Sequence, residues 1–376
     1  MIGEDQRLVA ARVRLAEEVE RHCALLSSRV VEAFLNVPRY PFVPVFYRHE
    51  RELYRPWRGT DDAWLEAVYT DRVLVTEVDG VHAEDAPDDG VHGVATSSST
   101  LPGLMADMLD ALDVRAGDRV LEIGTGTGYN AALLCHLAGD RSVTTVDRTE
   151  RLAAAARERL RGAGFAPAVL RADGAAGYPD RAPFDRIIAT CSVRRIPQAW
   201  LDQCAPGGLL VAPIDGTLGS GAVVCLTKLP DGRAVGRFLA RPAAFMPLRS
   251  DGARPLVRPG RVEGRARATD IGARALDDHG FSFWAGLHLP PTVVRRGTVL
   301  LDPADGSAAE VRDHPGRPST VTTAGPQDLW RAVEAAHTAW QHHHRPRREW
   351  LSMEVSAGGQ RIGHMAPDGT SMWWAR

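Results

Sequence analysis

The chain is predicted to be an α/β protein. Its centre is a doubly wound, Rossmann-like parallel sheet, preceded by helices and followed by a smaller C-terminal α+β domain. Three observations carry that expectation. Between residues 119 and 239, short apolar runs alternate with helical patterns, the order that builds a parallel sheet with helices on its faces. One run, Val120-Leu121-Glu122-Ile123, leads straight into Gly124-Thr125-Gly126-Thr127-Gly128-Tyr129-Asn130, a turn of the kind that glycine alone takes easily. A small-residue helix, Ala131-Ala132-Leu133-Leu134, follows, so a helix N-terminus faces whatever lies above the turn.

Length and composition set bounds on the rest. At 376 residues there is room for two domains, expected at 1–240, with a helical part over 1–100, and at 241–376. A hydrophobic fraction of 44% supports a full core, and a net charge of −2 provides no general attraction for nucleic acid or membrane. The five cysteines, Cys23, Cys135, Cys191, Cys204 and Cys225, form no Cys-x-x-Cys pair, which argues against a zinc knuckle or disulfide framework. Residues Met1-Ile2-Gly3-Glu4-Asp5 are acidic without an apolar signal core, and no apolar run reaches membrane length. A cytoplasmic location is the expectation.

In chain order, residues 5–35 carry apolar positions at helical spacing, with a break near Ser27-Ser28 that makes two helices. The prolines at 38, 41 and 44 forbid regular structure over 36–44. Residues 67–76 read as a strand, 77–93 as an exposed acidic loop that is solvated or attracts a basic peptide, and 103–112 as a helix. Strands follow at 119–123, 142–146, 168–171, 185–190 and 206–214, with helices near 130–137, 151–162 and 197–203 between them. Two further strands, 222–229 and 234–239, flank the turn Pro230-Asp231-Gly232. Residues 242–274, rich in Arg, Pro, Gly and Asp, read as an irregular connection. The terminal domain is expected to hold strands at 298–301, 308–312, 320–323, 350–355, 360–365 and 371–374 and an amphipathic helix over 327–344. Trp330, Trp340, Trp350, Trp373 and Trp374 are assigned to its core.

The glycine turn suggests the ligand. A dinucleotide fingerprint needs its third glycine at 129, where this chain has tyrosine. That points away from NAD and towards S-adenosylmethionine, which brings no pyrophosphate. Gly124, Thr125, Gly126, Thr127 and Gly128 are the candidate contacts. Asp147 closes the second strand and is placed to accept from ribose hydroxyls, or else to cap the helix that follows. Asp173-Gly174 occupies the analogous position after the third strand, for the adenine amino group or as a simple turn. Glu122 is a carboxylate within an apolar strand and needs a partner, either loop backbone or a cofactor amino group. His342-His343-His344 cannot face one ion from a helix, so no metal is expected. Cys191 reads as a small packed residue rather than a reactive thiol.

Over roughly 28–240 the chain resembles the protein-L-isoaspartate O-methyltransferase family. Four stretches carry the resemblance. One is Val31-Glu32-Ala33-Phe34-Leu35-Asn36-Val37-Pro38-Arg39-Tyr40-Pro41-Phe42-Val43-Pro44. Ala67-Val68-Tyr69-Thr70-Asp71 and the glycine turn are the next two. The fourth runs from Phe184-Asp185-Arg186-Ile187-Ile188-Ala189-Thr190 to Ala205-Pro206-Gly207-Gly208-Leu209-Leu210-Val211. The resemblance implies a class I methyltransferase fold, S-adenosyl-L-methionine as donor and a carboxylate as acceptor. An acceptor of pKa about 4 is ionised at neutral pH and needs no general base; positioning and exclusion of water do the work.

In the family a serine before the cofactor domain holds the substrate carboxylate. Anchoring on Pro102 places it at Thr100, with Ser99 and Ser98 adjacent. Arg194 or Arg195, where the family has small apolar residues, is a contact for an acidic substrate or plain surface. The stretch 242–376 goes beyond a repair enzyme that ends near the last sheet strands. Longer members resembling this layout occur in actinobacterial gene clusters for ribosomally made, modified peptides such as graspetides and lanthipeptides. There they esterify an aspartate of the precursor, which then closes to an aspartimide. The partner expected by resemblance is therefore a modified precursor peptide or, alternatively, an isoaspartyl-containing protein awaiting repair. A scaffold without activity is the third reading.

Overall fold

The computed structural model describes residues 6–23, 26–251, 260–366 and 369–375. The acidic Met1–Asp5 segment and positions 252–259 of the expected connection lie outside them. Contacts divide the chain into two units. The first comprises residues 1–191, 197–212 and 227–232; the second comprises 192–196, 213–226 and 233–376. The division is interleaved, where a single cut near 240 was expected.

The first unit opens with α1 (Gln6–His22) and α2 (Ser28–Asn36). Helical spacing puts Ala11, Leu15, Ala16 and Val19 of α1 on its buried face. The proline-rich stretch that follows contains only a 3-10 turn over Tyr40–Phe42. A hairpin absent from the sequence reading comes next, β1 (Val45–Glu50) and β2 (Leu53–Arg58). Its two turn residues, Arg51 and Glu52, both have positive φ, as a two-residue turn matched to strand twist requires.

The strand expected over 67–76 is corrected. Ala67 and Val68 end a helix, α3 (Asp62–Val68), because the Asp61 side chain accepts from the Trp64 N–H at 2.7 Å and starts it. The strand begins later, as β3 (Leu74–Val78), followed by β4 (Val81–His82) and β5 (Ala95–Ser99). Glu77, His82, Ala83 and Ala86 are buried, so the stretch read as an exposed loop is partly core. β5 pairs antiparallel with β3, Leu74 facing Ser99 and Val75 facing Ser98.

The alternating region then follows its expected order: α4 (Pro102–Leu112), β6 (Val120–Ile123), α5 (Tyr129–Ala138), β7 (Val143–Asp147), α6 (Glu150–Gly162), β8 (Ala168–Arg171), β9 (Phe184–Ala189), α7 (Gln198–Gln203) and β10 (Cys204–Ile214). These strands lie in the order β10-β9-β6-β7-β8, every pair parallel. β6, flanked on both sides, is wholly buried, which is why it reads as an apolar run. The chain winds outward from β6 to β8 and returns to β6's other side as β9. The carboxyl end of β6 is thus the topological switch point, where such sheets bind ligands.

The second unit contains most of β11 (Ala222–Lys228), and all of β12 (Ala234–Pro242), β13 (Arg265–Thr269), α8 (His279–Leu287), β14 (Val294–Arg296), β15 (Val299–Leu301), β16 (Ala308–His314), β17 (Arg317–Ala324), α9 (Leu329–His342), β18 (Leu351–Ser356), β19 (Gly359–Met365) and β20 (Ser371–Ala375). One antiparallel sheet has the order β13-β17-β16-β15-β14, and β18 to β20 continue from β12 as a meander. Two expectations are corrected here. Arg265–Thr269, placed in the irregular connection, pairs with β17. Trp330 is buried as expected, but Trp350 and Trp373 are 43% and 44% exposed, with the Arg347 and Arg361 guanidinium groups over their rings. Trp284 of α8, a helix the sequence reading missed, supplies core in their place.

Candidate active site

The glycine turn sits at the switch point with its backbone in the left-handed region. Gly124, Gly126 and Gly128 have φ of +97°, +52° and +90°, conformations that side chains resist. A Cβ at Gly124 would meet Thr190 Oγ1 at 2.7 Å, and one at Gly128 would meet Ala156 Cβ at 3.2 Å. Those two glycines are needed for close packing inside the protein. Gly126 differs, since the nearest atom to its Cβ position is the Ser98 carbonyl oxygen at 3.8 Å. Backbone is bare there, as close approach of a ligand requires.

Glu122, fully buried, finds its partners on neighbouring elements rather than on loop backbone. Asn130 Nδ2 of α5 donates to Oε1 at 2.7 Å, and Thr145 Oγ1 of β7 donates to Oε2 at 2.6 Å. Thr125 Oγ1 of the turn lies 2.7 Å from Thr145 Oγ1. Burial pushes the Glu122 carboxyl up to about 7, against the two hydrogen bonds that favour the charged form. This acid joins β6, β7, α5 and the turn. Within the protein its partners are side chains rather than the loop backbone.

Asp147 ends β7 beside the turn. Its Oδ2 accepts from the Gly126 N–H at 3.1 Å, and its Oδ1 accepts from the Thr149 N–H at 3.0 Å. One carboxylate thus ties the glycine turn to the end of β7 and supports the start of α6. Thr127 Oγ1 accepts from the Tyr129 N–H at 3.4 Å. Asp173 accepts from the Ala175 N–H at 3.1 Å and opens a short 3-10 turn. Gly174 is tied by its carbonyl, which accepts from Trp200 Nε1 at 2.7 Å. The turn reading of Asp173 is the one these contacts describe.

The three hydroxyls expected on the acceptor side do not share one face. Strand alternation turns Ser99 inward with Ser97, both buried, while Ser98 faces the other way. Ser99 Oγ accepts from Arg39 Nη2 at 3.2 Å and Nε at 3.3 Å, which fixes the Ser99 side chain against the buried guanidinium. Ser98 and Thr100 are half-buried, and Ser98 borders the Gly126 turn.

Arg39 is a participant that the sequence reading quoted within a motif without giving it a role. It is wholly buried and donates to the carbonyls of Val68, Thr70, Arg72 and Thr100 at 3.0–3.2 Å. Burial draws its guanidinium down to about 10, opposed by Tyr129 and then Asp71, so it stays charged at neutral pH. Asn130, Thr145 and Thr190 were likewise unassigned. No spacing signal marks them, because they meet Glu122 and the turn only through tertiary contacts. Among the described residues no cluster of three or more His, Cys, Asp or Glu could hold a metal ion. His343 packs against Trp284 and His364 instead.

A parallel sheet with a bare glycine turn at its switch point and an acid closing the next strand is the layout of the nucleotide-binding class of α/β folds. Comparison with known proteins narrows it. The family model for protein-L-isoaspartate(D-aspartate) O-methyltransferase matches residues 61–252. A protein-L-isoaspartate O-methyltransferase of Ignicoccus hospitalis is 35% identical over 221 residues, 58% of this chain and 88% of that protein. That of Aeropyrum pernix is 35% identical over 227 residues, 59% and 74%. This chain belongs to the protein-L-isoaspartate O-methyltransferase family, and it is a carboxyl methyltransferase.

A solved protein-L-isoaspartate O-methyltransferase structure superposes with a TM-score of 0.55 at 22% identity, covering 93% of this chain and 98% of that one. That likeness is one of fold. Among the described residues no helix is long and apolar enough to cross a membrane.

Proposed function

We propose that the protein esterifies the side-chain carboxylate of isoaspartyl residues in proteins or peptides, with S-adenosylmethionine as methyl donor. The observation that carries this reading is the juxtaposition of the bare Gly126 turn with the Ser98 backbone, in a chain of this family. The donor supplies an electrophilic methyl group on a sulfonium.

The residues present fit that donor. Asp147 offers a carboxylate at the sheet edge where ribose hydroxyls would lie. Gly126 offers backbone without a side chain, and Tyr129 stands where a pyrophosphate site would need glycine. On the acceptor side Ser98 and Thr100 offer hydroxyl donors to an anionic oxygen. The chain holds that oxygen in line for attack and keeps water away; it removes no proton, because the acceptor arrives ionised. The outgoing bond is methyl to sulfur and the new bond is methyl to oxygen.

A second reading is methylation of an aspartate in a modified ribosomal precursor peptide, with closure to aspartimide. It rests on Thr100, whose extra methyl narrows the site where the family carries serine. Mass spectrometry separates the two. Gain of one methylene on an isoaspartyl test peptide supports the first. Loss of one water from a precursor encoded beside the gene, with the test peptide untouched, overturns it.

A further inference from the structure

We propose that Arg39 is a positioning residue for methyl transfer, holding the acceptor segment Ser98–Thr100 in register with the glycine turn; this rests on the carboxyl-methyltransferase reading above. Two separate stretches of backbone converge on its guanidinium. Nη1 donates to the carbonyls of Val68 and Thr70 at 3.0 and 3.1 Å. Nη2 donates to those of Arg72 and Thr100 at 3.1 and 3.2 Å, and more weakly to that of Ser99 at 3.5 Å. Nε and Nη2 both reach Ser99 Oγ. The planar fork is thus filled, a set of contacts that the three donors of a lysine cannot reproduce.

What the guanidinium lacks is equally informative. Among the described residues it makes no ion pair, and its hydrogen bonds go to carbonyls and one hydroxyl. The nearby Asp71 spends its carboxylate on the Gly103 N–H at 2.7 Å and on His22 Nδ1 at 3.1 Å. Burying a cation without a counter-ion is costly, and apolar packing would hold a loop more cheaply. A positive charge behind the Thr100 carbonyl, with no carboxylate bonded to it directly, does suit a segment that receives an anion. The same guanidinium lies 5.9 Å from the ring centre of Tyr129, the first residue of α5 after the turn. Arg39 therefore spans the acceptor segment and the donor turn, and an error of about 1 Å between those two would cost on the order of a hundredfold in rate.

The test uses the full-length protein with an isoaspartyl peptide, S-adenosylhomocysteine titration and amide hydrogen exchange. Arg39→Lys, which keeps the charge and loses the fork, should lower kcat by roughly tenfold or more. Its S-adenosylhomocysteine affinity should stay within about twofold, and the amides of residues 98–101 should exchange faster. Arg39→Met should also raise KM, because the charge is gone. Should both fail to fold, Ser99→Ala removes one acceptor of the fork without stranding a charge, and should give a smaller loss of kcat with the same local rise in exchange.

Folded variants with wild-type kcat and KM and only a lowered Tm would make Arg39 structural and overturn the proposal. So would a loss of S-adenosylhomocysteine affinity in step with kcat. A wild-type protein silent on the isoaspartyl peptide would sink the substrate reading instead, and exchange at 98–101 would then decide the role of Arg39 alone.

Discussion

Asp147 Oδ2 accepts a hydrogen bond from the Gly126 N–H at 3.1 Å, tying the end of one strand to the glycine of the turn whose Cβ position is least crowded. A carboxylate so placed orients the turn and presents negative charge at the ligand edge. Asp147→Asn keeps an acceptor and loses the charge. It should weaken S-adenosylhomocysteine by roughly tenfold, the worth of a charge-assisted hydrogen bond. Isothermal titration calorimetry checks this; unchanged affinity would remove Asp147 from the donor site.

Gly124 and Gly126 should respond differently to alanine. Both substitutions strain a left-handed residue at a cost of about 1–2 kcal/mol. Only Gly124→Ala also drives a Cβ to 2.7 Å from Thr190 Oγ1. Denaturant melts should show Gly124→Ala as the less stable variant, while Gly126→Ala should lose more donor affinity than stability. Equal melts would contradict the packing role given to Gly124.

Thr100 stands where relatives are expected to carry serine. Thr100→Ala should lower turnover of an isoaspartyl peptide about tenfold or more, with S-adenosylhomocysteine affinity unchanged. Thr100→Ser should keep turnover, and raise it if the threonine methyl crowds the acceptor. Parallel loss of turnover and donor affinity in the alanine variant would place Thr100 on the donor side.

Glu122 makes the first unit sensitive to pH. Its folded carboxyl is raised from 4.5 to about 7, so folding favours the protonated form. That contribution is full below 4.5 and is lost as pH rises through about 7. Glu122→Gln should flatten the dependence, with a difference between pH 5 and pH 8 on the order of 3 kcal/mol. Chemical denaturation at those two pH values is the measurement, and parallel curves would show that Glu122 stays charged when buried.

The second unit should show the opposite sign. Burial lowers His288, and burial followed by the neighbouring His343 lowers His364, each from 6.5. The fold disfavours the charged form of both. Their contribution is full above 6.5 and declines as pH falls below it, because the unfolded chain takes up protons first. His364→Gln should reduce the loss of stability between pH 7 and pH 5, followed through tryptophan fluorescence. An unaltered slope would assign the acid sensitivity elsewhere.

The comparison of sequence with structure divides along a physical line. The order of strands and helices from 102 to 214 was legible because each element carries its own periodicity, and the glycine turn because φ demands glycine. Wherever stability came from packing, local pattern misled. Residues 67–68 end a helix that the Asp61 cap begins, α8 was hidden in an unpatterned apolar run, and Trp350 and Trp373 lie on the surface.

By itself the amino-acid sequence determined the doubly wound sheet, the glycine turn with Asp147 at its edge and membership of a carboxyl methyltransferase family, since these rest on neighbours along the chain. Tertiary structure alone decided that Glu122 is held by Asn130 and Thr145, that Ser99 faces inward, and that Arg39 gathers the backbone around Ser99 and Thr100. Those are contacts between residues 8 to 61 positions apart. A hydrogen bond of that kind leaves no period in the sequence, because its partners meet only after the sheet has been wound.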